Sequence, residues 1–169
     1  MKKKYFWVIA GVLTVVSIVS FLVWDELETN IRRYSVYYAK HIPHGKDTDP
    51  VLAMTMENLD YLDKPERSDY RYDYDGINVI AVKEELYFSE LFPGFSIHNT
   101  LDDSWYQFDD KGTFIGYSLA SEELVKDESK KSKAYVLAYD ILQPIIDIQP
   151  TPDTNLQWYF NWKYQKRFE

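Results

Sequence analysis

The chain has 169 residues, 27 carboxylates against 19 lysines and arginines, a formal net charge of −8 and no cysteine. Such a balance disfavours nucleic acid as a partner, and the missing cysteine excludes both a disulfide scaffold and a lipid-modified cysteine anchor. Large aromatic side chains, 17% of the residues, supply the material of a core instead.

Lys2, Lys3 and Lys4 precede an uncharged run from Tyr5 to Trp24. A helix rising about 1.5 Å per residue needs about 20 apolar residues to cross the hydrocarbon layer of a bilayer. Tyr5, Phe6, Trp7 and Trp24 stand at the two ends of the run, where interfacial rings belong. A signal peptide has a shorter apolar region that ends at a small-residue cleavage site. Here Ser20 is followed by further apolar residues, Phe21, Leu22, Val23 and Trp24, so the run reads as an uncleaved signal anchor. Positive flanks stay in the cytoplasm, which predicts a single-pass protein with residues 25–169 outside the membrane as one extracytoplasmic domain. Taking the three lysines from −8 leaves −11 on that domain, and a basic partner is favoured. Exported, cysteine-free and lysine-led, the chain reads as Gram-positive.

Beyond the anchor, Leu27, Ile31, Tyr34 and Tyr38 recur at helical steps and predict a juxtamembrane helix over 25–41. Leu52, Met54 and Met56 alternate with smaller or polar residues and predict a strand over 51–59. In "SDYRYDYDG", residues 68–76, an extended chain puts Tyr70, Tyr72 and Tyr74 on one face and Asp69, Arg71, Asp73 and Asp75 on the other. Asp75-Gly76 is a turn signal, with a return strand over 77–84. The D-x-D-x-D-G spacing also suggests a calcium loop, but the register places Arg71 at the first ligand position and Val82 where a bidentate Glu is required. "SWYQFDDKGTFIGYSL" repeats the hairpin design, turning at 109–112. Ser121 before Glu122-Glu123 reads as a helix start. Ala134, Ala138, Ile141, Leu142 and Ile145 predict a helix over 132–146, kinked or ended by Pro144. Leu156, Trp158, Phe160, Trp162 and Tyr164, at every second position, predict a final strand.

Hairpins in series with a late helix predict an α+β fold: a transmembrane helix, then an antiparallel β-sheet of several hairpins covered on one side by about three helices. Chemistry is sparse. His41 and His44 lack a nearby third metal ligand, and His98, near Ser96 and Asp102, lacks a nucleophile motif. Adjacent carboxylates such as Glu84-Glu85 and Asp102-Asp103 face apart on an extended chain. No catalysis, metal or cofactor is expected. Tyrosines among carboxylates suit protein recognition, which nominates Asp69, Tyr70, Tyr72, Asp73, Tyr74, Asp75, Asp109 and Asp110 as partner-binding; the same pattern also fits core tyrosines with solvated aspartates.

The lysine-led anchor, "WDELETN", "DDSWYQFDDKGTFIGYSL" and the ending "LQWYFNWKYQKRF" together resemble the TipC family of immunity proteins, over the whole chain. The resemblance implies a crescent-shaped domain with a curved antiparallel sheet whose concave face binds a secreted antibacterial toxin. That toxin would be of the LXG type exported by the type VII secretion system, one of which attacks lipid II. It transfers no individual residue. A bitopic accessory subunit of an envelope or secretion complex is the alternative expectation.

Overall fold

A computed structural model describes residues 2–73, 78–91, 93–120 and 123–169, with side chains from residue 8 onward. The first helix, α1 (Lys2–Arg33), is unbroken. From Val8 to Trp24 its apolar side chains stand outside the fold, and Val8–Arg33 is long and apolar enough to cross a membrane. The same helix then enters the domain: Leu27 is half-buried, and Glu28 and Ile31 are buried. A short α2 (Ser35–Ala39) continues the predicted juxtamembrane helix and buries Val36 and Tyr38.

Residues 51–59 are not a strand. They form α3 (Pro50–Glu57) and a 3-10 turn over Leu59–Tyr61. The Asp49 side chain accepts from the Leu52 amide at 3.0 Å, and Pro50 occupies the first turn, where its missing N–H costs nothing. Every residue from Leu52 to Met56 is buried, so the helix is enclosed on all sides and shows no amphipathic period. The apparent alternation of Leu52, Met54 and Met56 was a fragment of an all-round apolar surface.

Six strands follow as one antiparallel meander in sequence order: β1 (Tyr70–Asp73), β2 (Val79–Val82), β3 (Leu86–Glu90), β4 (Phe95–Asn99), β5 (Ser104–Phe108) and β6 (Phe114–Leu119). The register aligns Tyr72, Ile80, Phe88, Ile97, Tyr106 and Tyr117 across all six, and this row faces the helices. The sheet is open and curved, with its helices on one side, as expected. The turn at Asp75-Gly76 lies outside the described residues. The 109–112 turn forms as predicted: the Asp109 carboxylate accepts from the Lys111 and Thr113 amides at 2.9 and 2.8 Å, and Gly112 takes a φ of +77°.

Helix α4 (Glu128–Ile146) begins at an Asp127 cap rather than near Ser121; residues 123–126 are not helical, and Val125 pairs with Tyr117 in an isolated bridge. All five predicted core residues, Ala134 to Ile145, are buried. Pro144 lies inside this helix, which ends two residues later. A proline donates no hydrogen bond to the carbonyl four residues before it. The Tyr70 hydroxyl, shared between the carbonyls of Asp140 (3.3 Å) and Ile141 (3.0 Å), serves that orphaned Asp140 oxygen.

The chain ends in α5 (Gln157–Phe168), a helix where a strand was expected. Its alternating aromatics belong to two opposite faces. Leu156, Phe160, Tyr164 and Phe168, spaced by four, face the core, whereas Trp158 and Trp162, also four apart, face outward. Two interleaved four-residue stripes imitate a two-residue period.

Candidate binding face

Among the described residues, the sheet has one face against the helices and one without a helix on it. The second face is built by the register row Arg71, Ala81, Tyr87, His98, Trp105 and Ser118, one residue from each strand. A parallel row contains Asp73, Val79, Ser89, Ser96, Gln107 and Gly116. Leu124 lies over Gly116, so the segment after β6 covers part of the far edge.

The middle of this face is aromatic. His98 stacks on Trp105 with ring centroids 4.0 Å apart and planes 10° from parallel, and Tyr87 lies 6.5 Å from His98 on the other side. His98 Nε2 lies 2.8 Å from an Asp103 carboxylate oxygen, which fixes the ring's orientation. The carboxylate beside His98 is therefore Asp103, not Asp102; Asp102 instead accepts from Ser104 Oγ at 2.6 Å. Ser96 pairs with Ser89 across the strands at 3.2 Å. Around one end of the face, the β2–β3 and β4–β5 turns bring the exposed pairs Glu84-Glu85 and Asp102-Asp103 together, tied by the Thr100 amide to the Glu85 carbonyl at 2.9 Å. Lys83 and Glu84 both hold positive φ, +53° and +58°, the geometry a tight hairpin turn demands. The result is an aromatic floor with a rim of carboxylates, of which Glu84 pairs with Arg71 at 3.7 Å.

The residues nominated from sequence are divided by this geometry. Asp69 and Asp73 lie on the helix-free side at its β1 edge. Asp69 receives two hydrogen bonds from Arg67, at 3.0 and 2.6 Å, and the guanidinium holds its carboxyl below the usual range. Tyr70 and Tyr72 point the other way. Tyr70 braces α4, burial pushes its hydroxyl up, and Tyr72 packs against the core. Tyr74 and Asp75 lie outside the described residues. Asp109 caps its own turn, and Asp110 meets Arg167, which donates to the Asp110 carbonyl and to Glu57. β1 and β5 are four strand spacings apart, roughly 19 Å at about 4.8 Å each, so the two aspartate groups do not form one cluster.

His41 and His44 turn to the backbone carbonyls of Tyr37 and Gly45, at 2.7 and 3.0 Å. Among the described residues, no three histidine or carboxylate side chains converge on a metal position.

Tyr87, His98 and Trp105 were not singled out as a surface from the sequence, although their signal was present. Each stands in the same cross-strand row as Arg71, which becomes visible only once the register between neighbouring strands is known. Comparison with protein-family models, curated proteins and solved structures finds no match to the chain.

Proposed function

We propose that the chain is a membrane-anchored immunity protein that binds and neutralises a secreted antibacterial toxin at the outer face of the membrane. The observation that carries the reading is the pairing of an anchor-length apolar helix with an acidic domain whose sheet leaves one aromatic, carboxylate-rimmed face without a helix. Lysines before the helix favour an inside N-terminus and an extracytoplasmic domain in the inner wall zone. A toxin of the LXG type with a basic surface fits the charge, and recognition by the Tyr87–His98–Trp105 row would supply the buried centre of the interface while Asp73, Glu84, Glu85 and Asp103 steer the encounter.

An accessory subunit of an envelope complex would instead use α1 for lateral helix contacts. Replacing residues 5–24 by an unrelated transmembrane helix separates the two. Neutralisation of a secreted LXG-type toxin survives the exchange if the domain is the working part, and fails if α1 carries the specific contacts.

A further inference from the structure

We infer that α5 is a second membrane contact: its outer face lies in the headgroup zone of the bilayer that α1 crosses and seats the domain on that surface. The inference rests on the anchoring half of the proposed function and is independent of the toxin.

Moving along α1 from the apolar segment, the first buried residue is Glu28, four residues past Trp24 and so about 6 Å further along the axis. That distance is the thickness of the polar layer outside the hydrocarbon core, roughly 5 to 7 Å on each side. Both partners of the Glu28 carboxylate come from α5: the Tyr159 hydroxyl donates at 2.8 Å, and Lys163 forms an ion pair with it. One helical turn past Trp24, α1 is therefore joined to α5.

The orientation of α5 follows from its own sequence. Phe160, Tyr164 and Phe168 face the core, and Tyr159 and Lys163 flank α1. What remains opposite the core is Trp158, 65% exposed, and Trp162, 76% exposed, with Lys166 on the same side. Trp162 stacks on Tyr159 with centroids 5.6 Å apart, which ties the outward ring to the side chain that reaches Glu28.

The chemistry fits a lipid interface. Indole rings concentrate at headgroup depth, and lysine stems extend from apolar surface to phosphate. In a chain of net charge −8, α5 holds Lys163, Lys166 and Arg167 and no carboxylate. Lys163 is committed to Glu28 and Arg167 to Glu57 and Asp110, which leaves the exposed Lys166 beside the two tryptophans for a phosphate. Asp25 and Glu26 stand exposed at the same level of α1 and oppose anionic headgroups. A zwitterionic surface is therefore bound as readily as an anionic one, because the indoles carry the contact.

The test uses the full chain in vesicles of phosphatidylcholine, with and without lipids brominated in the upper acyl chain, which quench nearby indole emission. One variant, Trp7→Phe with Trp24→Phe, retains Trp105, Trp158 and Trp162. A second adds Trp158→Phe and Trp162→Phe, leaving Trp105 alone. Flotation first establishes that both variants are in the bilayer. The expected result is quenching by brominated lipid in the first variant and its loss in the second. Flotation without quenching in the first variant overturns the α5 contact while leaving the anchor intact. Equal quenching in both variants also overturns it, since Trp105 would then be the residue at the lipid. Failure to float rejects the anchor and the α5 contact together. Unquenched tryptophans whose removal abolishes toxin binding would reassign this face to the toxin.

Discussion

Replacement of Lys163 by Met tests the junction between the apolar helix and the domain. The Glu28 side chain is 12% exposed and that of Lys163 31%, which places the pair between a surface ion pair and a fully buried one. Exposed pairs contribute about 0.2 to 1 kcal/mol, whereas removing one partner of a buried pair costs about 3 to 5 kcal/mol because a charge is stranded. For Lys163→Met the expected loss is roughly 2 kcal/mol, with the Tyr159 hydroxyl still bonded to the carboxylate. In a chain of this size 1 kcal/mol moves the midpoint by about 2 to 4 °C, so the melting temperature should fall by about 4 to 8 °C. Adding Glu28→Gln to Lys163→Met removes the stranded charge and should recover part of the loss, giving a coupling of about 1 kcal/mol in the double-mutant cycle. Near-ultraviolet circular dichroism of the full chain in detergent micelles follows the tertiary contacts without interference from α1, which stays helical. A Lys163→Met midpoint equal to wild type, with no coupling in the cycle, would show that α1 is not joined to α5 through this pair.

Three further outcomes follow from the geometry. Tyr70→Phe strips the donor from the Asp140 and Ile141 carbonyls and should destabilise by about 1 kcal/mol in denaturant titration, yet leave partner binding unchanged because the ring faces α4. Burial raises the hydroxyls of Tyr38, Tyr70, Tyr135, Tyr139 and Tyr164, and the Asp49 carboxylate pushes Tyr139 further. A raised phenol contributes stability that is intact below its ordinary value of 10.0 and is lost as pH climbs above it toward the folded value. Urea midpoints should therefore hold to about pH 9 and then decline, less steeply in Tyr139→Phe. Reversing Asp69 and Asp73 to Lys on the helix-free side should weaken toxin binding mainly at low salt, where exposed charges act over about 10 Å or more; undiminished binding would confine the interface to the strands beyond β1.

Legibility in the sequence depended on how local the determining chemistry was. The Asp109 to Gly112 turn and the buried face of α4 are written within one turn or a few helical steps, and both were readable. Two of the misread segments, α3 and α5, lacked a readable helical period, each for its own reason. In α3 every side chain is enclosed, so the period that separates helix from strand was absent, although Asp49-Pro50 carried a cap and a first-turn proline. In α5 the core stripe and the tryptophan stripe, each of period four, were offset by two. Contacts between distant residues left no trace: Glu28 meets Lys163 across 135 positions. Likewise, Tyr70 was read as a recognition residue because nothing in "SDYRYDYDG" announces a proline-freed carbonyl 70 residues later.

The proposed function is tested most directly by survival. Cells of a susceptible Gram-positive strain carrying the full chain are challenged with secreted LXG-type toxins, in parallel with cells carrying Trp105→Ala and His98→Ala together. The expected result is protection by the wild-type chain, capture of the toxin by the detergent-solubilised protein, and loss of both in the double variant with its circular dichroism unchanged. A wild-type chain that is present in the membrane but neither binds the toxin nor protects the cells would contradict it.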